Sequence, residues 1–374
     1  MSDFIPLSAP NLSGNELSYV TDAIRTGWVS SGGGHISEFE ERLARYLKVE
    51  KTTAIQSGTA GLHLAMILAE IGHGDEVIVP TLTFIAAVNP VKYVGANPIF
   101  TDCDDYLCLD TEKVADFCQK ECDFRNGKLI NKKTGKHVKA VVAVHVFGNM
   151  TDMYALGELA QKYNLKIIED ATEALGSYYK ETGEFAGTVS DFGVYSFNGN
   201  KIITTSGGGA FTARDPKAVD RAKYLATQAK NDDVNFVHDE IGYNYRMTNL
   251  QAAVGIAQLE RLEEFIEIKR RNYELYKSAG LKLLDFQENI RSNRWFYSLI
   301  TDKKDDLIGR LKESGIQSRP VWKLIHTLKP YRCCQTYEIE KAFYFHEKIV
   351  NIPCSTDLTK DDITKVVNVT THLI

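Results

Sequence analysis

Six short runs rich in β-branched residues punctuate the first two thirds of the chain: Glu76–Pro80, Pro98–Asp102, Ala140–Val146, Lys166–Asp170, Asp191–Phe197 and Gly209–Thr212. Between them Gly58–Ile71, Thr111–Glu121 and Met153–Tyr163 carry apolar residues at helical spacing. Continuous apolar strands need cover on both faces of their sheet, and intervening helices supply it. The alternation therefore predicts an α/β fold with a mixed, mostly parallel sheet. After Arg246 the pattern changes. Residues Thr248 to about Ala279 keep helical spacing and predict one long linking helix. A smaller domain should follow, with a strand at Trp295–Ile300, helices near Asp305–Ser314 and Tyr337–Val350, and a last helix from Lys360. The chain thus reads as a large domain over residues 1–247 and a linking helix with a small C-terminal domain over 248–374. Asp123–His137, DFRNGKLINKKTGKH, is polar and turn-rich and reads as an exposed insertion.

Charge and composition exclude several functions. A net charge of −5 over 374 residues gives no footprint for nucleic acid. The first residues lack the features of a signal peptide and no apolar run approaches about 18 residues, so a cytoplasmic protein without a membrane partner is expected. Seven cysteines without paired C-x-x-C spacing point to reduced thiols. Cys118 and Cys122 share one face of a predicted helix without a nearby histidine, so no metal is expected there.

Chemistry concentrates at strand ends, where open α/β sheets build their sites. In VYSFNGNKIITTSGGGAF, Lys201 follows Asn200 and precedes Ile202, which excludes a phosphate-binding P-loop and leaves a loop lysine or a catalytic one. Gln56-Ser57-Gly58-Thr59-Ala60 enters a helix; it fits a phosphate held by backbone N–H groups and hydroxyls, and equally a plain helix cap. Glu169 and Asp170 close an apolar strand, where a carboxylate needs a cation. That cation can be a side chain in a structural salt bridge or a pyridinium nitrogen, whose protonation makes pyridoxal phosphate (PLP) an electron sink. Phosphate cradle, acidic partner and a lysine able to form a Schiff base are three parts of one PLP site, and Ser196 stands close enough in sequence to add a phosphate contact.

The motifs GWVSSGG, SGTAGL, DEVIVPTLTF, IIEDATEALGS, SFNGNKIITTSGGG and GYNYRMTNLQAAVG, in that order, resemble the sugar aminotransferases of PLP fold type I, from Ile5 to the last helix. The insertion ECDFRNGKLINKKTGK and the stretch QAKNDDVNFVHDEIGYNYR are similar to the legionaminic acid branch. The resemblance implies that Lys201 carries the cofactor, Asp170 pairs with its ring nitrogen, and Gly58, Thr59, Ala60 and Ser196 hold its phosphate. Phe84 would stack on the ring, and Asn244 would reach the cofactor of a neighbouring subunit, making a homodimer with composite sites obligatory; Asn244 also fits a turn before a helix. Glu173 stands where many members carry Gln or His, a departure bearing on substrate contacts. Trp28, Ser30, Arg319 and His326 would border the nucleotide-sugar cleft, while Trp322 fits the core as well as the cleft. The implied reaction moves the amino group of L-glutamate to C4 of a nucleotide-linked 4-keto-6-deoxy sugar for surface polysaccharide, a UDP-linked 2-acetamido sugar first, with a GDP-linked, perosamine-type substrate as the alternative. The related dehydratases carry His where Lys201 stands.

Two rivals remain in view. A nicotinamide dehydrogenase lacks its G-x-G-x-x-G here, since Gly32-Gly33-Gly34 lies ahead of the first predicted strand. A non-catalytic PLP-binding regulator would usually bring a DNA-binding module, for which this chain has no room.

Overall fold

The computed structural model describes residues 4–232 and 234–371. Its main sheet runs in the order Thr53–Ile55, Gly209–Ala213, Phe192–Ser196, Lys166–Asp170, His137–Val144, Glu76–Pro80, Asn97–Thr101, Gln335–Thr336. From Phe192–Ser196 onward the neighbours are parallel, and the two strands at the other edge pair antiparallel. All six predicted strands are present, displaced by at most three residues at an end. Glu76–Pro80 is buried along its whole length, as a strand covered on both faces must be. Helix Gly58–Leu68 packs on Phe192–Ser196, and Met153–Tyr163 packs on Lys166–Asp170. Among the described residues no helix is long and apolar enough to cross a membrane.

Three expectations change. The predicted long helix is two, Asn249–Glu260 and Leu262–Ser278, broken at Arg261, whose ψ is 4°. No Pro or Gly marks the break. Arg261 instead reaches back to Ser13 Oγ at 2.6 Å and pairs with Glu264 at 2.7 Å. The predicted helix Tyr337–Val350 is shorter, Lys341–Lys348, and runs into the strand Ile349–Ile352. Its N-terminal N–H groups on Lys341 and Ala342 donate to the buried carboxylate of Asp102, far off in sequence, at 2.8 Å each. The insertion is a hairpin, Cys122–Arg125 with Lys128–Asn131, and Leu129 in its second strand pairs with Val138 of the main sheet.

The later part of the chain forms a second sheet of Tyr297–Ile300, Ile349–Ile352 and Arg319–Pro320. Among its ties to the rest are two strand-like ones. Gln335–Thr336 joins the main sheet beside Asn97–Thr101. At the other end of the chain Ile5 exchanges hydrogen bonds with Gly315 and Gln317, both 2.9 Å, while Leu7 O accepts from Cys354 N at 2.8 Å and Ala9 N donates to Ser355 Oγ at 2.8 Å. This N-terminal strap brings Leu7 and Ser8 to the wall of the main cavity.

Candidate active site

A cavity of about 780 Å³ opens at the C-terminal ends of the parallel strands, where the second sheet and the strap meet the first. The Lys166–Asp170 strand shows how its floor is made. Successive side chains leave a strand on opposite faces. Glu169 turns away, bonds to His145 Nε2 at 2.9 Å and accepts the N–H groups of Gly187, Val189 and Ser190. His145 Nδ1 accepts Thr151 N–H at 3.2 Å, so the ring proton sits on Nε2 and donates to Glu169. Asp170 faces the cavity, buried, with Thr172 N–H at 3.1 Å as its hydrogen-bond donor. Burial raises its pKa, and only Thr172, Lys201 and His145 oppose that rise. The two carboxylates therefore differ: Glu169 is engaged by structural partners, and Asp170 faces the cavity.

Lys201 enters from the loop after Phe192–Ser196, its N–H turned back to Asn198 O at 2.9 Å. Its Nζ lies 3.8 Å from Glu173 Oε1 and 4.2 Å from the centre of the Trp295 ring. Burial lowers the lysine pKa, with Glu173 and Asp170 pulling it back. Glu173 Oε2 accepts Phe147 N–H at 3.0 Å, and Phe147 sits in the left-handed region at φ 55°. Its carbonyl in turn accepts Trp295 N at 3.1 Å, so the strained residue is gripped from both sides. Burial pushes Glu173 up to about 7, against 4.5 for a free glutamate, despite Lys201 and the Phe147 N–H. The folded protein thus holds a proton there that the unfolded chain releases, and stability falls as pH rises from about 4.5 to about 7. Relative to Glu173→Gln, the cofactor-free parent should lose a few degrees of melting temperature across that window, since one pKa unit is about 1.4 kcal/mol. Parallel melting curves would show that Glu173 stays ionised throughout.

One end of the cavity is formed by the N-terminus of helix Gly58–Leu68. Gly58 and Thr59 line the cavity with Ser196, and Ser57 Oγ caps the helix by accepting Ala60 N–H at 3.1 Å. That bond takes Ala60 out of the cradle, and it does not line the cavity. A Cβ on Gly58 would come 2.9 Å from Thr172 and 3.0 Å from Ser196, so the close approach needs glycine. Helix N-terminus, hydroxyls, a buried carboxylate and a lysine fit a phosphorylated pyridine aldehyde.

The other predicted residues scatter. Phe84 lines the cavity but is 52% exposed. Arg319 is at the mouth; Trp322 also lines the cavity, its ring 5.0 Å from that of Phe147. His326 is not in the lining: its Nδ1 bonds to Thr81 Oγ1 at 2.6 Å and its ring packs on Phe100 and Phe343, which corrects its placement in the cleft. Lys323 lines the mouth instead, and among the described residues neither it nor Arg319 has a carboxylate in ion-pair range. Trp28, Ser30 and Asn244 are exposed and lie outside this subunit's cavity. The Trp28 and Ser30 carbonyls are tied to Asn249, at 2.7 and 2.6 Å. Trp295, Gln317, Asn351 and Lys323 escape sequence reading because they carry no motif and come from the second sheet and its connections.

Comparison with known proteins shows the family and the fold. The description of the DegT/DnrJ/EryC1/StrS aminotransferase family matches residues 10–371. The chain is 39% identical to a GDP-perosamine synthase of Escherichia coli O157:H7, over 88% of this chain and 87% of that protein. It is 37% identical to a GDP-perosamine synthase of Vibrio cholerae, covering 97% of each. Among solved structures, the PLP-form of Spr1654 from Streptococcus pneumoniae has a TM-score of 0.87 at 25% identity, covering 99% of this chain and 100% of that one.

Proposed function

This chain belongs to the DegT/DnrJ/EryC1/StrS family and is a PLP-dependent sugar aminotransferase, and from that premise we propose that it moves the amino group of L-glutamate to C4 of a nucleotide-linked 4-keto-6-deoxyhexose. The reading rests on one juxtaposition: Lys201, Glu173 and Asp170 at the floor of a cavity whose mouth carries two cations, Arg319 and Lys323, without an ion-pair partner among the described residues. The cofactor, when bound, delocalises the electrons that the donor's Cα–H bond leaves behind. Lys201 would hold the cofactor and its Nζ would take the donor's α-proton; Asp170 would keep the ring nitrogen protonated; Gly58, Thr59 and Ser196 would anchor the phosphate. Glu173 adjusts the charge on Lys201. Arg319 and Lys323 meet the diphosphate, so the apparent affinity for the sugar should weaken with salt.

The first substrate candidate is a UDP-linked 2-acetamido-4-keto-2,6-dideoxyhexose, suggested by the likeness of the hairpin and of residues 228–245 to the legionaminic branch. The relatives named GDP-perosamine synthase favour a second reading, GDP-4-keto-6-deoxymannose. Comparison of kcat/KM for UDP, GDP and dTDP 4-keto sugars decides between them, and amination at C3 would overturn both. Activity is confined to a homodimer in which Asn244 serves the partner's cofactor. Its exposure supports this, as do the exposed Tyr93 ring beside His63 and the flanking Tyr243 and Tyr245. Mixing inactive Lys201→Ala and Asn244→Ala subunits should then restore part of the activity, because one hybrid site receives both intact residues. No recovery after verified subunit exchange means that each site is built from one chain.

A further inference from the structure

Trp295 belongs to no motif, yet its ring lies directly against the Lys201 ammonium. Its ring centre is 4.2 Å from Lys201 Nζ. The indole is held by two contacts, Nε1 donating to Asn200 O at 2.7 Å and the Phe296 ring stacking at 4.0 Å and 12°, while the Trp295 backbone N–H donates to Phe147 O at 3.1 Å and Asn293 Oδ1 at 3.0 Å. Its carbonyl accepts the buried Lys269 Nζ at 2.9 Å, a lysine that also binds Cys354 O at 2.6 Å. Because the Nε1 bond ends on the residue preceding Lys201, ring and lysine backbone are kept in one frame.

We propose that Trp295 is a positioning residue whose ring face is the resting place of the Lys201 ammonium whenever that lysine is not bonded to the cofactor. The proposal rests on the aminotransferase reading of Lys201 but not on which sugar is aminated. An indole face is negative and attracts a cation most strongly where little water reaches it, and the Lys201 side chain is 12% exposed. The charged groups facing Nζ are Glu173 and Asp170, both carboxylates, so ring and carboxylates act in the same sense. They differ in one respect. Glu173 can accept a proton from the lysine, whereas a ring face cannot. When the lone pair of Nζ takes the donor's α-proton, the C–H bond breaks with its electron pair left on the substrate side and a third N–H bond forms. Resting over Trp295, the ammonium keeps that proton and returns it within the same half-reaction.

The test replaces Trp295 by a series of fluorinated tryptophans introduced at that position alone, which drain the ring face stepwise and keep its shape. In the full chain freed of cofactor, acylation of Lys201 by acetic anhydride at pH 7, read by peptide mass, should rise with each fluorine and reach about tenfold, because less of the amine is held as ammonium. The exposed Lys329 serves as the internal reference. A flat series overturns the proposal. In the loaded enzyme, single-turnover reaction of α-deuterated glutamate should slow about threefold in Trp295→Phe, which keeps a weaker face, and about tenfold or more in Trp295→Leu, which keeps none; equal rates in the two also overturn it. Failure of the aminotransferase reading would show separately, as turnover that survives loss of Lys201.

Discussion

Lys201→Ala is expected to abolish turnover, by about 10⁴-fold or more, and to leave the purified protein without the yellow colour that borohydride bleaches. Among the described residues the other amine in the cavity lining, Lys323, is badly placed to substitute. The cavity's other cations, Arg319 and Lys323, sit at the mouth on a segment tied down where Ile325 N–H meets Thr81 O at 3.0 Å. Neither can descend to the floor between Glu173 and Trp295 without unpicking that anchor. Absorbance spectra and steady-state assays of the variant check both halves of the expectation. Turnover retained without the lysine would remove the basis for transamination at this site.

Asp170→Asn should bind cofactor and react about 10²- to 10³-fold more slowly. The phosphate cradle that supplies much of the binding is untouched, whereas a neutral amide cannot keep a pyridine nitrogen protonated. The buried carboxylate has little to compensate it in the protein itself, since desolvation outweighs Thr172 and Lys201 in setting its pKa. A ring cation would reverse that balance. Asp170→Asn should therefore be at least as stable as the parent when both lack cofactor near neutral pH, and gain less on loading. Rates equal to the parent would make Asp170 a structural carboxylate like Glu169.

What the sequence made legible was whatever is local. Strands such as Lys166–Asp170 and the helix Met153–Tyr163 appear with the predicted ends, because apolar period and flanking turn residues suffice to define them. The cradle, Asp170 and Lys201 were legible as motifs at strand ends. The strands Thr53–Ile55 and Gln335–Thr336 are too short to carry a period. The break at Arg261 and the short helix at Lys341 are set by partners more than 200 residues away, Ser13 and Asp102. His326 shows the same limit at the site itself, because a histidine near an arginine motif does not reveal that Thr81 will claim it. Trp295, the ring under the lysine, carries no signal that separates it from any core tryptophan.

The strap at Ile5–Ala9 has a consequence for the order of assembly. Leu7 waits on Cys354, its hydrogen-bond partner across 347 residues, so one wall of the cavity rests on a contact of nearly maximal sequence separation. At about 5–20 residues per second, synthesis leaves roughly 20–70 s between the emergence of the two partners. During that interval the main sheet can form from residues already made, but the wall carrying Leu7 and Ser8 cannot. The nascent chain therefore holds Lys201 in an unfinished pocket, and the wall that Leu7 and Ser8 supply is closed only after Cys354 has been made.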